Sequence, residues 1–243
     1  MPADGSSRRG WAVSGLALIA AAFTGAAATY LWWLPCQGRM LVGTAYGPRY
    51  SDSLLGRACI DRMNDGTPFP LPTGVALSTP GLLHLSTLTV LLVGVAWLVP
   101  VACLPRDVSA RVGISLPGWA VVVVAALGVV TGFGGLGIGY LADLLLNVFV
   151  LVSVVLLIGQ RAPGLARFVV AALPVSALGF VGMVVDYSLM IRWSDADWDS
   201  PPGSGYLSAA LFLVCGVTVL VMTAVGGRRQ PTDPRVVLEE VLP

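Results

Sequence analysis

Apolar residues in this chain come in long unbroken runs, and the polar residues gather between them. The runs cover positions 11–34, 81–104, 119–139, 140–158, 168–191 and 206–225. As a helix at about 1.5 Å per residue, each can cross a hydrocarbon layer of ~30 Å. The runs are continuous in a way that β-barrel strands, with their short alternating segments, are not. The pattern therefore predicts an all-α polytopic membrane protein with about six transmembrane helices. Between them lie a short start (1–10), a long loop (35–80), shorter connections at 105–118, 159–167 and 192–205, and a polar tail (226–243). The third and fourth runs abut, which predicts a tight hairpin.

Composition agrees: 56% of residues are hydrophobic, 11% are charged, and mean hydropathy is +0.83. A soluble domain carries roughly 25% charged residues. The net charge of +1 and the lack of a basic stripe exclude nucleic acid as an expected partner. The bilayer is the expected partner, together with other membrane subunits.

The arginines orient the chain. Arg8 and Arg9, Arg106 and Arg111, Arg161 and Arg167, and Arg228, Arg229 and Arg235 fall on connections that alternate to one side, which is then cytoplasmic. The opposite side mixes Arg39, Arg49, Arg57, Arg62 and Arg192 with Asp52, Asp61, Asp65, Asp195, Asp197 and Asp199. Tyr30, Trp32, Trp33, Tyr140, Tyr187, Trp193, Trp198 and Tyr206 lie at the outer boundary, and Trp11, Trp97 and Trp119 near the inner one, as interfacial belts should. Every basic residue is Arg, which with the abundant Ala, Gly and Val suggests a GC-rich bacterial genome and hence a plasma (inner) membrane. Arg8-Arg9 before an apolar run also fits a secretion signal, but this run far exceeds the usual ~7–15-residue core, so a retained span is expected.

Cys36 and Cys59 share the long outer loop, where an oxidising compartment favours a disulfide. Closing a loop of this size stabilises by ~3 kcal/mol in the chain-entropy model. A redox-active pair is the alternative, although such pairs usually sit as Cys-x-x-Cys. Cys103 and Cys215 fall within spans and read as small buried apolar residues.

His84, Asp143, Asn147, Asp186 and Arg192 are polar residues at or near the outer edge of the runs. Asp143 and Asn147 are four apart and share a helix face. Charge facing lipid is costly, so these groups are expected to face the bundle interior or snorkel outward. They form either a polar pocket for a cation, proton or small polar ligand, or a structural network joining the helices. The short connection 159–167 makes the fifth span the expected neighbour of Asp143 and Asn147.

Gly128-x-x-x-Gly132 and Gly135-x-x-x-Gly139 suit close helix packing. Pro174 should kink the fifth span, and Pro100 the inner end of the second. A single histidine and the lack of P-loop, Gly-x-Ser-x-Gly or His-Glu-x-x-His motifs leave no metal, cofactor or catalytic residue to expect.

The stretch from Asp143-x-x-x-Asn147 to Arg192-x-x-Asp195-x-Asp197 resembles VanZ-like membrane proteins. It covers less than a third of the chain and omits the cysteine loop. The resemblance implies a role connected with the cell envelope. The sequence as a whole points first to a non-enzymatic accessory, assembly or interaction component of that envelope. A small transporter or ligand-binding protein comes second, and an enzyme acting on a lipid-linked substrate third.

Overall fold

The computed structural model describes residues 5–36, 42–44, 47–49, 57–64, 81–104, 108–131, 139–190 and 202–226. They are helical apart from a small hairpin. In order the elements are α1 (Gly5–Trp33) with a 3-10 turn (Leu34–Cys36), β1 (Val42–Thr44), β2 (Gly47–Arg49), α2 (Arg57–Asn64), α3 (Leu82–Ala102), α4 (Val108–Thr131), α5 (Gly139–Gly159), α6 (Leu165–Ala177), α7 (Phe180–Met190) and α8 (Tyr206–Gly226). The hairpin lies within the long loop, pairing Val42 with Arg49 and Thr44 with Gly47 in antiparallel register.

Among the described residues, α1, α3, α4 and α8 are long and apolar enough to span a membrane. The α6–α7 pair makes a fifth candidate, bent by 71°. Apolar α5 packs among them. The helices close into a ring: α1 against α3 and α8, α3 against α4, α4 against α5, α5 against α6, and α6 against α8. Leu16, Phe23, Val123, Leu151 and Val214 face outward. An outer surface this apolar is what helices in hydrocarbon require, and the chain is a multi-pass membrane protein.

The third helix departs from expectation. It begins at Val108, not near 119, and runs straight through Arg111 and Pro117. Hydropathy locates the apolar layer, whereas a helix continues as long as its backbone bonds are met. Pro117 has no N–H for the Gly113 carbonyl one turn back. Ser153 Oγ on α5 donates to that carbonyl at 3.3 Å, and Trp97 Nε1 on α3 donates to the next one, Ile114, at 2.8 Å. Pro100 in α3 likewise leaves the Ala96 carbonyl without its helical donor, and Ser14 Oγ on α1 supplies one at 2.6 Å. In hydrocarbon no water can do this job, so neighbouring helices must.

The fifth apolar run is two helices. Pro174 sits inside α6, and the chain breaks later, at Leu178-Gly179. Small residues permit the bend. A Cβ at Gly182 would overlap the Ala177 backbone, and one at Gly179 would lie 2.6 Å from Asn147 Oδ1.

Close packing at glycine is seen at Gly15, Gly216 and Gly118. Gly15 of α1 and Gly216 of α8 face each other, and a Cβ on Gly216 would come within 2.9 Å of the Gly15 carbonyl. Gly118 of α4 receives Leu98 in the same way. Gly128 and Gly139 lie within α4 and α5, while Gly132 and Gly135 lie outside the described residues.

Several aromatic residues expected in interfacial belts are core instead. Trp11, Trp32, Trp33 and Trp97 are buried, whereas Tyr30, Trp119 and Tyr206 are exposed. At one end of the bundle, Phe168 packs edge-on against Trp11 (4.6 Å) and Trp97 (5.8 Å).

Candidate functional site

Asn147 is the best-defined polar group within the bundle. It sits half-buried on α5 opposite the α6–α7 break, where the α-helical backbone pairing of α6 stops and that of α7 has yet to begin. Its Nδ2 donates to the Ser176 carbonyl (3.1 Å), and its Oδ1 accepts from Val181 N–H (3.0 Å). One amide side chain thus closes both broken ends at once. A carboxylate could not donate, and a hydroxyl is too short to reach both partners.

Asp143, one turn before Asn147, has a different setting. Its side chain is half-buried and lines a chamber of about 320 Å³ walled by apolar residues including Val90, Val121, Leu146 and Phe149. Its backbone carbonyl is drawn close to Gly179, where an added Cβ would lie 2.8 Å away.

Asp186 turns elsewhere. It is 5% exposed on α7, and its Oδ2 accepts from Gly205 N–H at 2.9 Å, with the Ser204 side chain bonding the same carboxylate. Gly205 immediately precedes α8, so the carboxylate sits at that helix's positive end, a stabilising place for an anion. Gly203 (φ 98°) and Gly205 (φ 104°) give the turn a shape only glycine adopts easily. Asp186 Oδ1 has no hydrogen-bond partner among the described residues.

His84 is exposed in the first turn of α3. The described contacts therefore resolve the expected polar layer into separate settings: Asn147 holds the α6–α7 break, Asp186 holds the start of α8, Asp143 faces an apolar chamber, and His84 faces outward. Arg192 lies outside the described residues. No three His, Cys, Asp or Glu side chains converge to hold a metal among the described residues.

The cysteines meet. A disulfide joins Cys36 to Cys59, both fully buried, and ties α2 to the end of α1. Met63 and Arg62 of α2 are buried with them, the Arg62 guanidinium lying 5.5 Å from the Trp32 ring. Trp33 Nε1 donates to the Ser204 carbonyl at 2.9 Å, so the same corner is fixed to α8. Arg57, Ala58, Asp61 and Asn64 form the exposed face of α2. Cys103 is half-buried and Cys215 buried, both as free thiols.

Hydropathy and charge find the polar residues but miss the partners, because the partners are backbone groups. Ser14 and Ser153 were not candidates on sequence; a proline four residues beyond a carbonyl was the available signal.

Comparison with known protein families, curated proteins and solved structures finds no match for this chain. The resemblance to VanZ-like proteins gains no support from them.

Proposed function

We propose that the protein is a non-catalytic component of a bacterial cell envelope, resident in the plasma membrane with both ends cytoplasmic. In this reading it acts by interaction or assembly with other membrane proteins through the outer unit built on α2. The observation that carries the reading is the way this unit is fixed: a disulfide, a buried Met63 and the Arg62–Trp32 contact hold α2 rigidly while its polar face stays open. A fixed polar surface loses little conformational freedom on binding, which favours its use as a contact surface. The internal polar groups support the same view, because Ser14, Ser153, Asn147 and Asp186 are occupied with backbone groups.

A photoreactive residue at Asp61 or Asn64 in the native membrane tests this. A discrete protein adduct is expected there, and none from Phe23, which faces outward from the middle of α1. Lipid adducts alone at all three positions would overturn the reading. The orientation is tested separately: an introduced cysteine near Gly74 should react with an impermeant thiol reagent in intact cells, and one near Gly164 should not.

A second reading, a small transporter or ligand-binding protein, rests on the Asp143 chamber beside the broken α6–α7 pair. Broken helices in membranes commonly line binding cavities. An Asp143→Asn variant that expresses normally but abolishes transport of a defined solute would favour it. A lipid-directed enzyme, the third reading, needs a nucleophile paired with a base, and no such pair stands out among the described residues.

A further inference from the structure

At the end of the bundle opposite the disulfide, Arg167 of α6 rests on Trp11 of α1, one turn beyond Arg8. Arg167, near the start of α6, lies across the Trp11 ring at 5.8 Å and donates Nη2 to the Met222 carbonyl at 3.2 Å. That bond engages one of the five guanidinium N–H donors. Arg8, exposed on α1, comes three residues before Trp11 and so shares a helix face with the ring under Arg167. Two cations at this end of the bundle favour an anion there. The described carboxylates, Asp61, Asp143 and Asp186, belong to α2, to the beginning of α5 and to the contact with the start of α8, all at the far end.

Beside Arg167 runs an open groove of about 430 Å³ between α6 and α8, lined by Gly164, Ala166, Val221, Met222, Val225 and Gly226. Gly226 matters to it, since a Cβ there would lie 2.7 Å from Arg167 Nη2. Val221 and Val225 are about half exposed on the outward surface of α8, where the surroundings are hydrocarbon. The groove thus joins a cationic mouth at Arg167 to an apolar, lipid-facing trough, with Arg8 on the neighbouring α1.

We propose that this groove binds one anionic phospholipid, its phosphate held between Arg8 and Arg167 and an acyl chain lying along Val221 and Val225. Guanidinium matches phosphate by paired N–H donors as well as by charge. Basic pockets between membrane helices at a headgroup boundary are suited to anionic lipids. A free anion would use the arginines but leave the trough without purpose, and a neutral lipid would leave the two cations without a counter-charge. The inference needs only a multi-pass membrane protein, so it stands or falls apart from the interaction role proposed above.

The test uses the full chain reconstituted in vesicles of phosphatidylcholine and phosphatidylglycerol in equal amounts, extracted gently and weighed intact by native mass spectrometry. The wild-type chain should retain phosphatidylglycerol several-fold over phosphatidylcholine. Arg8→Gln should reduce that preference several-fold, and Val221→Trp, which fills the trough, should reduce retention of the lipid. Both side chains are exposed, so neither change threatens folding. Arg57→Gln, at the other end, should behave as wild type. Equal retention of the two lipids, or an Arg8→Gln variant with undiminished preference, would overturn the proposal. So would full displacement of the lipid by millimolar inorganic phosphate, which would show that the trough contributes nothing.

Discussion

Replacing Asn147 by Leu keeps the branching of the side chain, adds some bulk, and removes both bonds that close the α6–α7 break. The losses are unequal. The Ser176 carbonyl also accepts from Gly179 N–H at 3.1 Å, so it stays partly satisfied. The Val181 amide lies in the first turn of α7 and loses the acceptor that Asn147 gives it. A donor left unsatisfied where hydrocarbon replaces water costs about 1–3 kcal/mol, and a shared carbonyl bond about 0.5–1 kcal/mol more. Interhelical hydrogen bonds measured in membranes average about 0.6 kcal/mol, which pulls the total toward the lower end. The expected destabilisation is about 2 kcal/mol. It would be read from reversible unfolding in mixed micelles against wild type, with insertion checked by membrane fractionation. Gly179→Ala attacks the same contact from the other side by crowding Asn147 Oδ1. The double variant should therefore lose clearly less than the two single losses added together. Strict additivity, or an Asn147→Leu variant within about 0.5 kcal/mol of wild type, would refute the reasoning, given that typical hydrogen-bond deletions exceed this.

Ser14→Ala should cost about 1 kcal/mol in the wild-type background and much less beside Pro100→Ala, which returns an amide to the Ala96 carbonyl; a double-mutant cycle in unfolding measures the difference. Asp186→Asn should be tolerated, because the amide oxygen still accepts from Gly205 N–H, whereas Asp186→Leu should destabilise by about 1–3 kcal/mol in the same assay. Cys36→Ser should lower stability by roughly 3 kcal/mol, the loop-closure estimate, and open the segment between positions 36 and 59 to protease while the spans remain inserted.

How much of this was legible beforehand follows from what each signal measures. Apolar runs mark where the membrane is, and each long helix among the described residues overlaps one. They could not place the start of α4, because Pro117 looks like a boundary until Ser153 is seen to serve the carbonyl it frees. They could not show the break at Leu178-Gly179, which depends on Asn147 reaching across from another helix. The Cys36–Cys59 bond was readable from compartment and loop alone. The polar cluster was readable as a set of residues but not as a constellation, since Asp186 answers to a turn at 202–205 and His84 to the exterior. Gly15 and Gly216 meet across some 200 positions of sequence, where no spacing rule operates. Trp32 and Trp33 look like boundary residues by position, yet Arg62 of the stapled α2 lies against Trp32 and Ser204 takes the Trp33 N–H.

The α1–α8 seam has a consequence for the order of assembly. Helices α1 and α8 lie antiparallel, with Gly15 against Gly216 at one level and Trp33 bonded to Ser204 at the other. A ribosome delivers α1 long before α8, so the notch at Gly15 must wait in the bilayer while every intervening helix is made. Until α8 arrives, the nascent bundle is an open arc with one unfilled side. Contacts between the extremes of a chain form late and at the greatest loop-closure cost. Mutations at this seam should therefore act on maturation yield as strongly as on the finished molecule, and a chaperone that shields α1 would find its natural substrate in that arc.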